Sequence, residues 1–210
     1  LTYNDVFMVP SASSVPSRFD VDLRTPDNIG TNIPIIVANM TAVAGRRMAE
    51  TVARRGGLVV LPQDIPMDII EMVVRHVKSR HSIFETPITL GPEDTVGEAL
   101  SLIHKRSHGA VIVVDAGNRP LGIFTEHDAS GYDRFTQLKN VMNPDMVLFT
   151  EQHSVEQMHD SLIEQRLTFA PVVNASGILL GAITRKGALR STIYSPALDS
   201  RGQFLTSVAV

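Results

Sequence analysis

Thr125 and Asp128 are the side chains of this sequence whose types and spacing best suit a binding site. They lie three positions apart, after an apolar run, in the pattern Gly-x-x-Thr-x-x-Asp that begins at Gly122. Together they offer a hydroxyl and a charged hydrogen-bond acceptor. The same pair is also typical of a helix start, where a threonine caps free amides and an acid adds favourable charge to the first turn. A purely structural role is therefore the alternative.

The pattern occurs a second time further along the chain. Adding 59 to each position (95 becomes 154) aligns residues 95–129 with residues 154–188 without a gap and places Thr184 on Thr125. Gly187 then stands where the first copy has its aspartate. Two copies are too few for a long solenoid, so the repeat predicts a paired module.

Each copy has the same order of predicted elements, which must position the threonine. A helix begins at a hydroxyl residue, Thr95 or Ser154, and a glutamate or glutamine three positions later completes a capping box. Valine-rich runs at residues 110–114 and 169–173 are sized for buried strands. A turn and a second strand follow, and the Thr-x-x-Asp/Gly segment then opens another short helix.

This order of elements, with its Gly-x-x-Thr-x-x-Asp motif, resembles a tandem pair of CBS domains over residues 88–192, with copies at about 88–144 and 147–192. In that family the threonine and the aspartate hold a nucleotide, and the aspartate binds the ribose hydroxyls. A carboxylate can accept two hydrogen bonds from a cis-diol, and a helix N-terminus suits a phosphate. The resemblance implies a regulatory site for an adenine or guanine nucleotide.

The residues implied for this regulatory site are Thr125, Asp128, His127, Thr184 and Lys186. His127 and Lys186 precede the last motif position, where the family often has a basic phosphate contact. Because the second copy lacks the aspartate, we expect one complete and one defective ribose site. CBS pairs can also be purely structural, and a non-catalytic assembly or regulatory element without a small ligand is the alternative.

Composition limits the class of protein. The chain has 210 residues, 43% hydrophobic and 20% charged, so we expect a packed core in one large or two small domains. The net charge of −3 gives no reason to expect a nucleic-acid partner. The absence of cysteine excludes disulfides and thiolate metal sites. No apolar stretch approaches the roughly 20 residues of a membrane helix, and no signal peptide is present, so we expect a cytoplasmic protein without a membrane partner.

The segments outside the repeat predict part of a parallel sheet. Residues 33–38 and 58–61 are apolar runs typical of strands, and residues 44–55 between them have helical periodicity and end at two glycines. Strand, helix and strand in about 30 residues form a βαβ unit. The four arginines of this helix, at positions 46, 47, 54 and 55, are expected on its solvated face.

The remaining segments add one helix and one strand. Residues 65–80 have helical periodicity. The predicted apolar face of this helix comprises Ile69, Ile70, Val73 and Val77. Residues 194–202 are rich in turn formers, and residues 204–210 begin a third strand. The sequence outside the repeat, about 105 residues, thus holds three strands at most.

Five motifs outside the repeat occur in the order found in the IMP dehydrogenase/GMP reductase family. They are Leu1-Thr-Tyr-Asn-Asp-Val, Pro34-Ile-Ile-Val-Ala-Asn-Met40, Met48-Ala, Gly56-Gly57 and Tyr194-x-Pro-Ala-x-Asp-x-x-Gly202. The sequence therefore resembles that family, in which a TIM barrel carries a CBS pair after its second strand. The implied fold is α/β: the N-terminal part of a TIM (β/α)8 barrel at residues 1–87, interrupted by a tandem CBS module at 88–192, with residues 193–210 returning into the barrel.

The resemblance implies an enzyme that binds a purine nucleoside monophosphate at the end of the barrel and uses NADPH or NAD. Asn39 and Met40 match its substrate-facing positions, where the methionine packs against the purine; an ordinary barrel-core methionine is the alternative. The family's catalytic cysteine lies on a later loop, and this chain has none. Both ends of the chain also look cut, so we expect an inactive fragment without a catalytic residue. The family also implies a homo-oligomer, a tetramer or an octamer.

Two departures from the family pattern bear on the reaction. Thr41 stands where the family usually has aspartate, and residues 61–64 (Leu-Pro-Gln-Asp) stand where the dehydrogenases usually have a histidine-containing segment. The sequence is similar instead to a divergent, CBS-bearing actinobacterial branch. This favours a GMP reductase, which converts GMP to IMP with NADPH. An IMP dehydrogenase, which converts IMP to XMP with NAD, is the alternative.

A metal site is not predicted. His104 and His108 are four apart on a predicted helix, a spacing that can place two ligands on one face. Their counterparts in the second copy are Ile163 and Leu167, and no third ligand is close in sequence. We therefore interpret both histidines as structural.

Overall fold

The computed structural model describes residues 2–105 and 108–210, so Leu1 of the first motif lies outside the described residues. The α-helices are α1 (Arg46–Ala53), α2 (Met67–Lys78), α3 (Val96–Ile103), α4 (Val155–Glu164) and α5 (Arg185–Ile193). The strands are β1 (Ile36–Val37), β2 (Leu58–Leu61), β3 (Ile88–Leu90), β4 (Ala110–Val114), β5 (Pro120–Thr125), β6 (Phe149–Thr150), β7 (Phe169–Val173), β8 (Leu179–Thr184) and β9 (Ser207–Val208). Within the described residues these strands form three sheets of three strands each.

The first sheet comes from the segments that flank the repeat. Its order is β1-β2-β9, with Ile36 opposite Leu58 and Val60 opposite Ser207, and both pairings are parallel. Helix α1 connects β1 to β2 and packs Ala49 against them in one core. The predicted βαβ unit and third strand are therefore confirmed. The first strand is shorter than predicted, because only two of its residues pair with β2.

The two copies of the sequence repeat also have the same structure. The second and third sheets have the orders β3-β4-β5 and β6-β7-β8, each with one parallel and one antiparallel pairing. Ala110 pairs with Thr125 in the first copy, and Phe169 pairs with Thr184 in the second, so the registers coincide after the shift of 59. A β-bulge also interrupts both antiparallel pairs at the same place.

Both repeat helices begin as predicted. The Thr95 hydroxyl accepts from the Glu98 amide at 3.3 Å, and the glutamate accepts from the Thr95 amide at 2.8 Å. The Ser154 hydroxyl accepts from the Gln157 amide at 3.2 Å in the same way. These reciprocal bonds satisfy amides that the first helical turn leaves free, which fixes where each helix starts.

The two copies share a core, and the segment that leads into each copy pairs with a strand of the other copy. Apolar residues of both sheets form one cluster that includes Ile112 and Phe169. Asn143, which leads into the second copy, forms a bridge with Ile123 of the first copy. The entry segment, defined here as residues 81–87 between α2 and β3, forms the equivalent bridge with the second copy. The segment that leads into each copy thus pairs with the sheet edge of the other copy.

The motif glycines make these close approaches possible. A Cβ at Gly181 would lie 2.7 Å from the Cβ of Phe84 and 3.0 Å from the Glu85 carbonyl oxygen. A Cβ at Gly122 would lie 2.8 Å from the Asn143 carbonyl oxygen. The glycine of Gly-x-x-Thr therefore gives the incoming segment room to pair with the third strand of each copy.

Two expectations for the flanking helices are wrong. Ile69 of α2 is 39% exposed, and the buried face is centred on Ile70 and Val77. Arg54 is buried and not solvated, because it follows the last turn of α1 and donates to the His81 carbonyl in the entry segment. Arg46 and Arg47 are exposed, as predicted. Among the described helices, none is long and apolar enough to cross a bilayer.

We expect Gly181→Ala to lower the free energy of unfolding by about 1–3 kcal/mol, because the added Cβ must displace the entry segment from β8. Gly45→Ala is the matched control, since its Cβ meets no atom within 4 Å; its effect should stay within about 1 kcal/mol. Urea denaturation of the full-length protein measures both. Equal midpoints for the two variants would show that the segment does not pack there.

Candidate functional site

The predicted residues Thr125 and Asp128 line one cleft between the two copies. This Asp128 cleft has a volume of about 310 Å³, and Arg166 and Phe169 of the second copy form part of its wall. One carboxylate oxygen of Asp128 accepts from both the amide and the hydroxyl of Thr125, each at 2.7 Å. A carboxylate has about four acceptor positions, so Asp128 retains capacity for the hydroxyls of a ligand.

The motif threonines have opposite hydrogen-bonding roles in the two copies. Thr125 donates to Asp128 and does not cap an α-helix, because only the short 3-10 turn His127–Ala129 follows it. Thr184 instead accepts from the Gly187 amide at 2.8 Å and caps α5. In the first copy, the motif threonine therefore fixes the position of the Asp128 carboxylate, whereas in the second copy it caps a helix. The cap interpretation holds for the second copy only.

Thr184 and Lys186 line a second cleft of about 530 Å³. This Lys186 cleft also contains Arg185, Arg190 and, from the flanking part of the chain, Arg55. The cleft is therefore more basic than the sequence of the repeat alone indicates. His127, the predicted phosphate contact of the first copy, is exposed and lies outside the linings of both clefts.

Glu85 of the entry segment is the acidic residue among the described residues that line the Lys186 cleft. One of its carboxylate oxygens accepts from Arg190 at 2.7 Å, and the other lies 3.9 Å from Nδ1 of His108. Burial acts to raise the pKa of Glu85, but the neighbouring His108 and Arg190 outweigh it and lower the pKa to about 2. Glu85 is therefore a fixed negative charge at neutral pH. Sequence reasoning missed it, since no motif marks the entry segment.

The structure separates the two histidines that were considered as metal ligands. Helix α3 ends at Ile103, so His104 and His108 do not share a helical face; the two residues immediately before His108 lie outside the described part of the chain. The ring of His108 stacks on Phe169 at 4.8 Å, and its side chain is 1% exposed. Its Nε2 has no hydrogen-bond partner within residues 2–105 and 108–210. Among the described residues, no group of three or more His, Asp or Glu side chains is placed to hold a metal ion.

The predicted substrate-facing residues lie at the carboxyl end of β1. Asn39 and Met40 are exposed there, and Met40 is 59% accessible. The next residue, Thr41, donates to the carboxylate of Asp64 at 2.9 Å, and Asp64 follows β2. Thr41 and Asp64, which lie in the two segments that depart from the family pattern, are therefore in contact. The carboxyl ends of parallel barrel strands are where such folds bind ligands.

A buried network joins this sheet to the entry segment. Glu50 of α1 accepts from Thr86 at 2.7 Å and bonds His76 of α2 at 2.8 Å. Arg54 lies 3.6 Å from Glu50 and donates to the carbonyl oxygen of His81. Burial lowers the pKa of His76, although its hydrogen bond with Glu50 opposes that shift. A paired acid at this depth fixes the position of the entry segment, because leaving either charge unpaired is costly.

Comparisons with known proteins find relatives that match the whole chain. The family model described as "IMP dehydrogenase / GMP reductase domain" matches residues 1–210. A GMP reductase of Mycobacterium tuberculosis (strain ATCC 25618 / H37Rv) is 50% identical over 210 residues, which is 100% of this chain and 44% of the relative. An inosine-5'-monophosphate dehydrogenase of Nitrosopumilus maritimus is 32% identical over 214 residues, which cover 100% of this chain and 45% of the relative. The chain thus spans less than half the length of these relatives.

Solved structures of similar fold include GMP reductase from Trypanosoma brucei. Its complex with guanosine 5'-triphosphate matches with a TM-score of 0.66 and 31% identity, over 100% of this chain and 53% of that one. A C318A variant in complex with guanosine 5'-monophosphate matches with a TM-score of 0.67 and 31% identity, over 100% of this chain and 46% of that one.

We expect Glu85→Gln to destabilise the protein in a pH-dependent way. Because the folded-state pKa of Glu85 is depressed from 4.5 to about 2, its stabilisation is fully present above pH 4.5 and is lost as the pH falls towards 2. The difference in unfolding midpoint between wild type and variant should therefore be largest at neutral pH and shrink on acidification. Glu93→Gln, which removes an exposed pair with Lys139, is the control and should have a small effect. A pH-independent difference would contradict the assignment.

Proposed function

The chain belongs to the IMP dehydrogenase/GMP reductase family, and on that premise we propose that the full-length protein is a GMP reductase. The reaction is the reductive deamination of GMP: a hydride from NADPH would replace the 2-amino group of the purine, a proton from solvent would accompany that group as it leaves as ammonia, and IMP and NADP+ would be formed. The observation that carries this proposal is the 50% identity to mycobacterial GMP reductases over all 210 residues, against 32% and 35% for two IMP dehydrogenases. IMP dehydrogenase activity is the alternative.

Local features at the end of the sheet support the same choice. Thr41 and Asp64 form a hydrogen-bonded pair where the dehydrogenases of the family usually have an aspartate and a histidine-containing segment. An exposed methionine and an exposed amide, Met40 and Asn39, lie directly before this pair. We propose that Met40 packs against the purine and that Asn39 donates or accepts hydrogen bonds at its edge.

The remainder of the catalytic machinery is proposed to lie outside these 210 residues. The chain contains no cysteine, and a complete barrel takes about 250 residues as a rule. The family's thiolate nucleophile would therefore come from the rest of the protein, as would most of the surface that orients NADPH. We propose that this chain alone is inactive, with barrel segments at residues 1–87 and 193–210.

We propose further that residues 88–192 are a CBS pair that binds a regulatory adenine or guanine nucleotide. Two clefts between the copies support this, since one contains Thr125 and Asp128 and the other contains Thr184 and Lys186. A nucleotide that favours one arrangement of the two copies would change the barrel by linkage, whereas one that binds both arrangements equally would have no effect. A homo-oligomer, a tetramer or an octamer, is part of the same proposal.

The full-length protein should consume NADPH when supplied with GMP and should show little turnover of IMP with NAD. Absorbance at 340 nm follows both reactions, and the 210-residue chain serves as the inactive control. Turnover of IMP with NAD, without turnover of GMP with NADPH, would instead favour IMP dehydrogenase activity.

Asp128→Ala is expected to weaken nucleotide binding by about tenfold or more, because a charged acceptor for the ribose hydroxyls is lost. Glu126→Ala is the matched control, since Glu126 is exposed and lies outside the cleft lining. Calorimetry with ATP, AMP and GTP measures both variants, because GMP would also bind the proposed substrate site. No binding of any of the three at millimolar concentration would favour an assembly role for the pair. Full affinity in Asp128→Ala would show that another group binds the ribose.

A further inference from the structure

A hydrogen bond between two loops joins the carboxyl ends of β1 and β2. The Thr41 hydroxyl donates to the Asp64 carboxylate, and its oxygen lies 2.9 Å from one carboxylate oxygen and 3.2 Å from the other. The two residues are 23 positions apart in the sequence, but they follow neighbouring parallel strands, so their loops leave the sheet at the same edge. The proposed substrate residues Asn39 and Met40 lie at that edge too.

The backbone on each side of this hydrogen bond is itself held in place. The Met40 carbonyl accepts from the amides three and four residues later, at 2.9 and 2.8 Å, and these bonds close a tight turn that contains Thr41. On the other side Asp64 lies between Pro62, which is buried, and Ile65, which packs against the core of the flanking sheet. The carboxylate therefore loses little conformational freedom when it binds a ligand.

The Asp64 carboxylate also keeps free hydrogen-bonding capacity and an unpaired charge. A carboxylate has about four acceptor positions, and one hydroxyl hydrogen does not fill them. Thr41 is a neutral partner, and no lysine, arginine or histidine of the described residues forms an ion pair with Asp64. Glu50 and Glu85, by contrast, each lie beside an arginine. Because Asp64 is exposed, a ligand can reach its remaining acceptor positions.

A fixed carboxylate with free acceptor positions matches one edge of guanine. Guanine carries two adjacent donors, the N1 hydrogen and the 2-amino group, which can reach both oxygens of one carboxylate in the bidentate way that guanidinium groups do. Hypoxanthine has the N1 hydrogen but only a C–H group at position 2, so it offers a single donor. A site built to bind a hydrogen-bonding group discriminates strongly against an analogue that lacks it. A carboxylate beside the purine therefore separates GMP from IMP.

We propose that Asp64, held by Thr41, distinguishes GMP from IMP by accepting from N1 and from the 2-amino group of the guanine base. The inference rests on the proposed GMP reductase function and names a specificity-determining residue for it. Met40 directly precedes Thr41, so adjacent residues would supply the contact with the purine face and the support for its edge contact. Asp64 is the binding residue, and Thr41 is a positioning residue that acts through the carboxylate. The product lacks one of the two donors, which favours its release.

Steady-state kinetics of the full-length protein with NADPH tests this assignment, by comparing the KM for GMP with the inhibition constant of IMP. Asp64→Asn keeps the shape of the side chain but replaces one acceptor with a donor, which opposes the 2-amino group. It should raise the KM for GMP by about tenfold or more. It should change the inhibition constant of IMP by less than about threefold, because the remaining oxygen still accepts from N1.

Two further variants sharpen the comparison. Thr41→Val removes the hydroxyl and leaves the carboxylate free to rotate, so the KM for GMP should rise by about threefold, again with little change for IMP. Asp68→Asn is the matched control, because it removes the same charge from an exposed residue in the first turn of α2. Its KM for GMP should stay within about twofold of wild type.

An unchanged KM for GMP in Asp64→Asn would overturn this inference. Equal losses for GMP and IMP would also overturn it, since the pair would then support the fold of the strand ends and not the recognition of the amino group. A rise confined to the KM for NADPH would assign the carboxylate to the cofactor, with the same result. Thr41→Val decides in the same way if Asp64→Asn has no measurable turnover. Turnover by wild type of IMP with NAD alone would instead remove the proposed function, and this inference with it.

Discussion

The entry segment, held from both sides, is the constraint on which the arrangement of this chain depends. On one side Glu50 and Arg54 of α1 bind Thr86 and the His81 carbonyl. On the other side the backbone of Glu85 pairs with β8 of the second copy. Seven residues therefore fix how the flanking sheet and the repeat face each other. These contacts hold helix α1 close to the entry segment.

Much of the repeat was predictable because its signals are local. Capping boxes mark both helix starts, valine-rich runs of five residues mark the buried strands, and Asn or Gly residues at positive φ end the turns between strands. The observed strands Ala110–Val114 and Phe169–Val173 agree with these signals residue by residue. The flanking sheet was also predictable, from apolar runs on either side of one helix and from the order of family motifs.

The electrostatic part of the site was not predictable, because it depends on contacts between distant positions. Glu85 and Arg190 are 105 residues apart, and neither belongs to a periodic pattern or motif. Arg54 was assigned to solvent because four arginines on one helix indicate a polar face, but its location after the last turn directs it inward. His108 was interpreted as structural by comparison with Leu167, its counterpart in the second copy, and that comparison does not show that its ring stacks on Phe169 of the second copy.

The exchange of incoming segments has a consequence for how such a module arises in evolution. The edge of β8 pairs with residues that precede the first copy, and the edge of β5 pairs with residues that precede the second. Deleting either copy would leave the surviving sheet with an open edge and the remaining linker with nothing to pair against, a state prone to aggregation. The two copies are therefore expected to be inherited, gained and lost together, and never singly.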